Sequence, residues 1–129
     1  MSTLYDTDEE LLANADRASQ IRDLNDAFRT EPLSVLSVVL SRTFVFTKGV
    51  GAHGDAFLAR ALKAVQQYSD FTEENDPYGE HDFGALELDG VALNWKIDYY
   101  DSALEWGSPD PSDPAVTRRV LTILLADEY

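Results

Sequence analysis

The residue best placed to do chemistry is His81. It lies in the run Asn75-Asp76-Pro77-Tyr78-Gly79-Glu80-His81-Asp82-Phe83-Gly84, and a second polar run, Lys96-Ile97-Asp98-Tyr99-Tyr100-Asp101, follows downstream. A carboxylate beside an imidazole stabilises the imidazolium and orients the ring. Such a pair serves a general base, and it serves a structural contact equally well. Glu80, Asp82 and Asp101 add oxygen atoms of the kind that bind hard cations. Neither site is completed by the surrounding sequence. There is no cysteine and no G-x-S-x-G turn, and the spacing matches no metal-binding motif. A structural or interface role is favoured for this cluster. The alternative is a small metal-dependent or acid–base enzyme centred on His81 and Asp98. No metal and no cofactor is assigned.

Gly49-Val50-Gly51-Ala52-His53-Gly54 matches G-x-G-x-x-G between an expected strand and an expected helix. A dinucleotide site also needs a second parallel strand and an acid about twenty residues on. Here the helix runs into SDFTEENDPYGEH, a polar turn. The motif reads as a glycine-rich strand-to-helix connection. A residual possibility is an anion held by free N–H groups at the helix start, near Lys48 and Arg60.

Charge carries the third signal. The 129 residues hold 24 acids and 10 bases, a formal charge of −14. Residues 70–129 alone hold 15 acids and 3 bases, and residues 70–95 hold 8 acids without one Lys or Arg. This excess opposes contact with a nucleic-acid backbone, which needs cations to displace counterions, and with anionic membranes. A solvated face that maintains solubility accounts for it most simply. The sharper reading is that carboxylates on the rigid hairpin and its flanking loops imitate a phosphate backbone and enter a basic groove. Glu73, Glu74, Asp76, Tyr78, Glu80, His81, Asp82, Asp98, Tyr100 and Asp101 would make that contact. Tyr99 and Trp106 lie among them, and Tyr and Trp are good interface anchors. Arg118 and Arg119 are placed to neutralise part of the field.

The elements that must position these residues are partly legible. Residues 8–29 read as a helix with a Thr7–Glu10 capping box. Its apolar stripe is Leu11, Ala15, Ala18, Ile21, Leu24 and Phe28, and Pro32 stops it. Residues 43–48 favour strand, as does the Val- and Leu-rich stretch before them. Residues 55–69 return to helical spacing, with Phe57, Ala61, Val65 and Tyr68 on one stripe. Asp89-Gly90 is the preferred dipeptide of a two-residue type I′ hairpin turn. That loop sets Leu88 against Val91, Leu86 against Leu93 and Gly84 against Trp95, with glycine leaving room for the indole. If the pairing continues, His81 faces Asp98. Residues 117–126 are apolar on both alternate faces, like a central strand, although Asp113-Pro114 is a good helix start. The expected class is α+β: a single domain, 1–129, with two helices packed on a small, mostly antiparallel sheet of three to five strands. No apolar run approaches a membrane span, and the acidic first ten residues do not resemble a secretory signal. A cytoplasmic protein is expected.

NDPYGEHDFGALELDG, NWKIDYYD and DPSDPAVTRRVLTILLADEY together resemble a bacterial family catalogued as domain of unknown function 3768. The resemblance is strong over 71–129 and extends to IRDLNDAFR, TFVFTKGV and the helix after it, with 33–41 as an enlargement. It implies no activity, cofactor or catalytic residue. It implies a setting like that of accessory genes on plasmids and other mobile elements. Small acidic proteins from such settings are often inhibitors of host defence, of the anti-restriction or anti-CRISPR type. The expectation is thus a non-enzymatic module that binds a basic groove on a nucleic-acid-handling protein complex, with no direct nucleic-acid or membrane contact. Reversing Asp76, Glu80 and Asp82 to Lys is expected to abolish that binding. A homodimer through the apolar stripes of the sheet or of helix 8–29 is a further structural possibility.

Overall fold

In the computed structural model, residues 8–31 and 43–129 are described. They form an α+β fold with four strands. In chain order these are α1 (Asp8–Thr30), β1 (Thr43–Phe46), α2 (Lys48–Gly51), α3 (Asp55–Gln66), β2 (Phe83–Leu88), β3 (Val91–Tyr100) and β4 (Arg118–Leu125), with single 3-10 turns at Pro114–Val116 and Ala126–Glu128. The Thr7 cap and the expected strand over 33–42 lie outside the described residues.

The sheet order is β1-β4-β3-β2. β4 pairs antiparallel with β3 and parallel with β1. The segment left open between strand and helix is therefore a central strand, and its apolar residues on both faces reflect that place. Asp113-Pro114 does start helical structure, but only one 3-10 turn, with the Asp113 carboxylate accepting the Ala115 N–H at 2.9 Å.

The hairpin register is the expected one, from Leu88 opposite Val91 to Phe83 opposite Lys96. Asp89 and Gly90 both take positive φ, 52° and 78°, as a type I′ turn requires. At Gly84 a Cβ would collide with the Trp95 indole. Trp95 is fully buried there.

Both long helices cover one face of the sheet. Phe57, Ala61 and Val65 of α3 pack on Leu93, Trp95, Ile97, Leu121 and Ile123. α1 behaves differently from its expected stripe. Leu11 is 54% exposed, and the buried positions are Ile21, Asn25 and Arg29. The buried positions all lie in the C-terminal half of the helix, and two of the three buried side chains are polar. Arg29 substitutes for the missing N–H groups at the end of α3: its Nη1 donates to the carbonyls of Val65 at 2.8 Å and Tyr68 at 2.9 Å. Its guanidinium lies over the Trp95 ring, 4.9 Å from the centroid.

Candidate functional site

β2 begins, β3 ends and β4 begins at the same end of the sheet. The loops 67–82 and 101–117 therefore meet there. Residues 70–82 hold six acids and residues 101–113 hold four, with no Lys or Arg in either stretch. The acids thus gather in two loops at a sheet end, rather than along the hairpin ribbon, where Asp89 is tied to Arg60 in a salt bridge.

Beneath these loops runs a chain of buried polar groups. Arg119 Nε donates to Asn25 Oδ1 at 2.6 Å, and Arg119 Nη2 donates to the Pro111 carbonyl at 2.7 Å. Asn25 Nδ2 donates to the Tyr99 hydroxyl at 2.8 Å and to the Glu80 carbonyl at 2.9 Å. The Tyr99 hydroxyl donates onward to Glu80 Oε1 at 3.0 Å. Burial lowers the Arg119 pKa, opposed by Tyr99 and Glu80, which favour the cation. Burial also pushes the Tyr99 phenol far up, and the Glu80 charge adds to this. The phenol therefore stays a donor at any ordinary pH. All donors in this chain point from Arg119 toward Glu80, so the Glu80 carboxylate is held in place before any partner arrives.

His81 does not meet Asp98. The strand ladder ends at Phe83, with a last bond from the Ile97 N–H to the Asp82 carbonyl at 2.8 Å. Gly79 and His81 both take positive φ, 69° and 55°, and this turns the imidazole away from β3 and toward α1. The ring stacks on Phe71 at 3.7 Å between centroids. Its Nδ1 lies 2.9 Å from Asp26 Oδ1 and its Nε2 lies 3.5 Å from Asp76 Oδ2. Asp98 instead accepts from Lys96 Nζ at 2.6 Å, on the face of the sheet opposite Ile97 and Tyr99. Nδ1 is thus hydrogen-bonded to Asp26, and Nε2 has a second carboxylate at ion-pair distance. Among the described residues no group of three His, Cys, Asp or Glu is arranged to hold a metal ion.

The other expected contact residues divide into two kinds. Glu73 and Glu74 are exposed, and Tyr78 is 80% exposed. Asp76 is inward: its carboxylate is 7% exposed and accepts the His81 N–H. Asp82 is half-buried, and desolvation, then the Glu80 charge, raises its carboxyl above the usual range. Asp101 accepts the Glu105 N–H and closes the turn 101–106. Tyr100 pairs across the sheet with Arg118. The turn after Asp101 presents Trp106, 75% exposed, and Leu104, which is held at φ 59°.

Sequence reasoning missed Asn25, Asp26, Arg29 and Leu104. The spacing Ile21-Asn25-Arg29, four residues each time, was the available signal for the first and third. The glycine turn is the strand-to-helix connection expected, and the residual anion site is already filled. Thr47, which caps α2, donates its hydroxyl to Glu128 Oε1 at 2.7 Å, and the same carboxylate oxygen accepts the Leu125 N–H. A Cβ at Gly49 would strike Glu128 and Leu125. The Glu128 side-chain carboxylate thus occupies this position. Arg60, the other cation of that idea, is spent on Asp89.

The fold and this acid-rich end define an α+β protein with a polar, preorganised loop surface. The chain belongs to the family described as protein of unknown function, DUF3768, whose model matches residues 46–128. No curated protein and no solved structure matches it. The family match begins at the end of β1, so α1, which supplies Asn25, Asp26 and Arg29, precedes the matched region. No helix among the described residues is long and apolar enough to cross a membrane.

Proposed function

We propose that this protein is a non-enzymatic interaction module whose acidic sheet end docks on a basic surface of a partner protein in the cytoplasm. One observation carries this: two loops without a single Lys or Arg meet at one end of the sheet, with Tyr78 and Trp106 exposed on them. Convergent carboxylates focus a negative potential that steers a cationic partner. Exposed Tyr and Trp supply the apolar anchors that charge alone lacks. In its narrower form the partner is a nucleic-acid-handling complex, such as a host-defence nuclease, and the carboxylates take the place of phosphates.

The test is capture of proteins from a cell extract at low and high salt. Glu73→Lys, Glu74→Lys and Glu105→Lys, all exposed, are combined in one variant. Glu87→Lys with Asp127→Lys, exposed positions away from the loops, is the control. The expected partner is retained by the wild type and the control, lost by the triple variant, and released by salt. Release by added duplex DNA supports the narrower form. Binding that ignores salt and the triple reversal contradicts the docking surface.

A further inference from the structure

A cleft of about 470 Å³ opens between α1 and the acidic loops. Arg17, Ala18 and Ile21 are among the residues on its α1 side, and Pro77, Tyr78, Glu80, Tyr99 and Pro111 line the rest. We infer that this cleft receives an arginine side chain of the partner protein. This rests on the acidic end being a docking surface, and it names the group recognised there.

Three observations point to a guanidinium. The first is the fixed carboxylate. Glu80 is held by the Tyr99 hydroxyl, Tyr99 by Asn25 and Asn25 by Arg119, with Asn25 fully buried and Arg119 9% exposed. A buried polar chain is no more stabilising than an apolar core of the same shape. Its return is a carboxylate held in one geometry. The second is the lining itself. Flat surfaces from Tyr78 and the two prolines suit a planar, weakly hydrated cation, which stacks as well as bonding bidentately to a carboxylate, whereas a lysine ammonium meets the carboxylate only as a point charge. The third is internal precedent: the Arg119 guanidinium lies 5.1 Å from the Tyr99 ring centroid. Arg17 itself lines the cleft and is paired with Asp110 at 3.2 Å, so its charge is compensated where a second cation would enter.

The experiment is a nuclear magnetic resonance titration of the full chain with three capped tripeptides, Gly-Arg-Gly, Gly-Lys-Gly and Gly-citrulline-Gly. The arginine peptide is expected to shift the Ala18 and Tyr78 amides and the Asn25 side-chain amide saturably. The lysine peptide should bind more weakly, and the neutral citrulline peptide should not saturate. Glu80→Gln keeps an acceptor for Tyr99 yet should weaken the arginine peptide roughly ten-fold, the loss of one charge-assisted contact. Equal shifts from all three peptides, or no effect of Glu80→Gln, overturn the cleft assignment. If the cleft fails while the Glu73, Glu74 and Glu105 reversal still abolishes partner capture, the docking surface stands without it. If both fail, both readings fall.

Discussion

Arg119 and Asn25 stand 94 residues apart in sequence and share a bond of 2.6 Å between Nε and Oδ1. It joins α1 to the start of β4 beneath the acidic loops. Removing one partner leaves a guanidinium buried without its acceptor, which costs about 3 kcal/mol. Asn25→Leu is therefore expected to lower unfolding stability by about that amount in urea denaturation. Asn25→Leu combined with Arg119→Met should cost clearly less than the sum of the two single changes. Additive losses would show that the two residues are not coupled.

Gly84 faces Trp95 with no space for a methyl group. Gly84→Ala is expected to destabilise by at least about 1–3 kcal/mol, the usual penalty for overpacking a core. The near-ultraviolet circular dichroism of the buried indole should change with it. A neutral substitution would mean that β2 moves freely relative to β3.

Asp82 should work against stability at neutral pH. Burial, and next the Glu80 charge, raise its folded pKa above the unfolded one. The native state then holds the extra proton in the window between the two values, so this contribution falls as pH rises through the window. Asp82→Asn is expected to raise Tm at neutral pH. The gain should vanish below the unfolded aspartate value of about 3.9, where both states are protonated. A Tm lowered at neutral pH would contradict the assignment.

Glu128 should show the opposite sign. The Thr47 hydroxyl, then the Leu125 N–H, holds its carboxyl below the usual range. The stabilisation is complete above the unfolded glutamate value of about 4.3 and is lost as pH falls through the folded one. Glu128→Gln should lower Tm at neutral pH and leave it unchanged in acid. A pH-independent difference would point to lost packing instead.

Local patterns carried the hairpin and β4 because each is set by neighbours in sequence. A two-residue turn leaves one register for Gly84 and Trp95, and a strand apolar on both faces can sit only inside a sheet. What escaped sequence reading depends on long-range geometry. Asn25 and Arg29 have the composition of a solvated helix face, yet their acceptors come from loops and carbonyls at least 36 residues away. His81 left the ladder through a positive φ that no residue type at that position announces. The two acidic loops converge because β2, β3 and β4 share an end, and a charge count along the chain contains no such fact. Five of the ten expected contact residues, Asp76, Glu80, His81, Asp98 and Asp101, have side chains engaged within the molecule itself.

Hydrogen exchange on the protein, free and bound to its captured partner, tests the docking surface most directly. Slowed exchange is expected in 72–82 and 101–113 and in the α1 turns facing the cleft, with the hairpin tip at Asp89-Gly90 unchanged. Protection at the hairpin tip or on the sheet face bearing Lys96 and Asp98, with the two acidic loops unaffected, would contradict it.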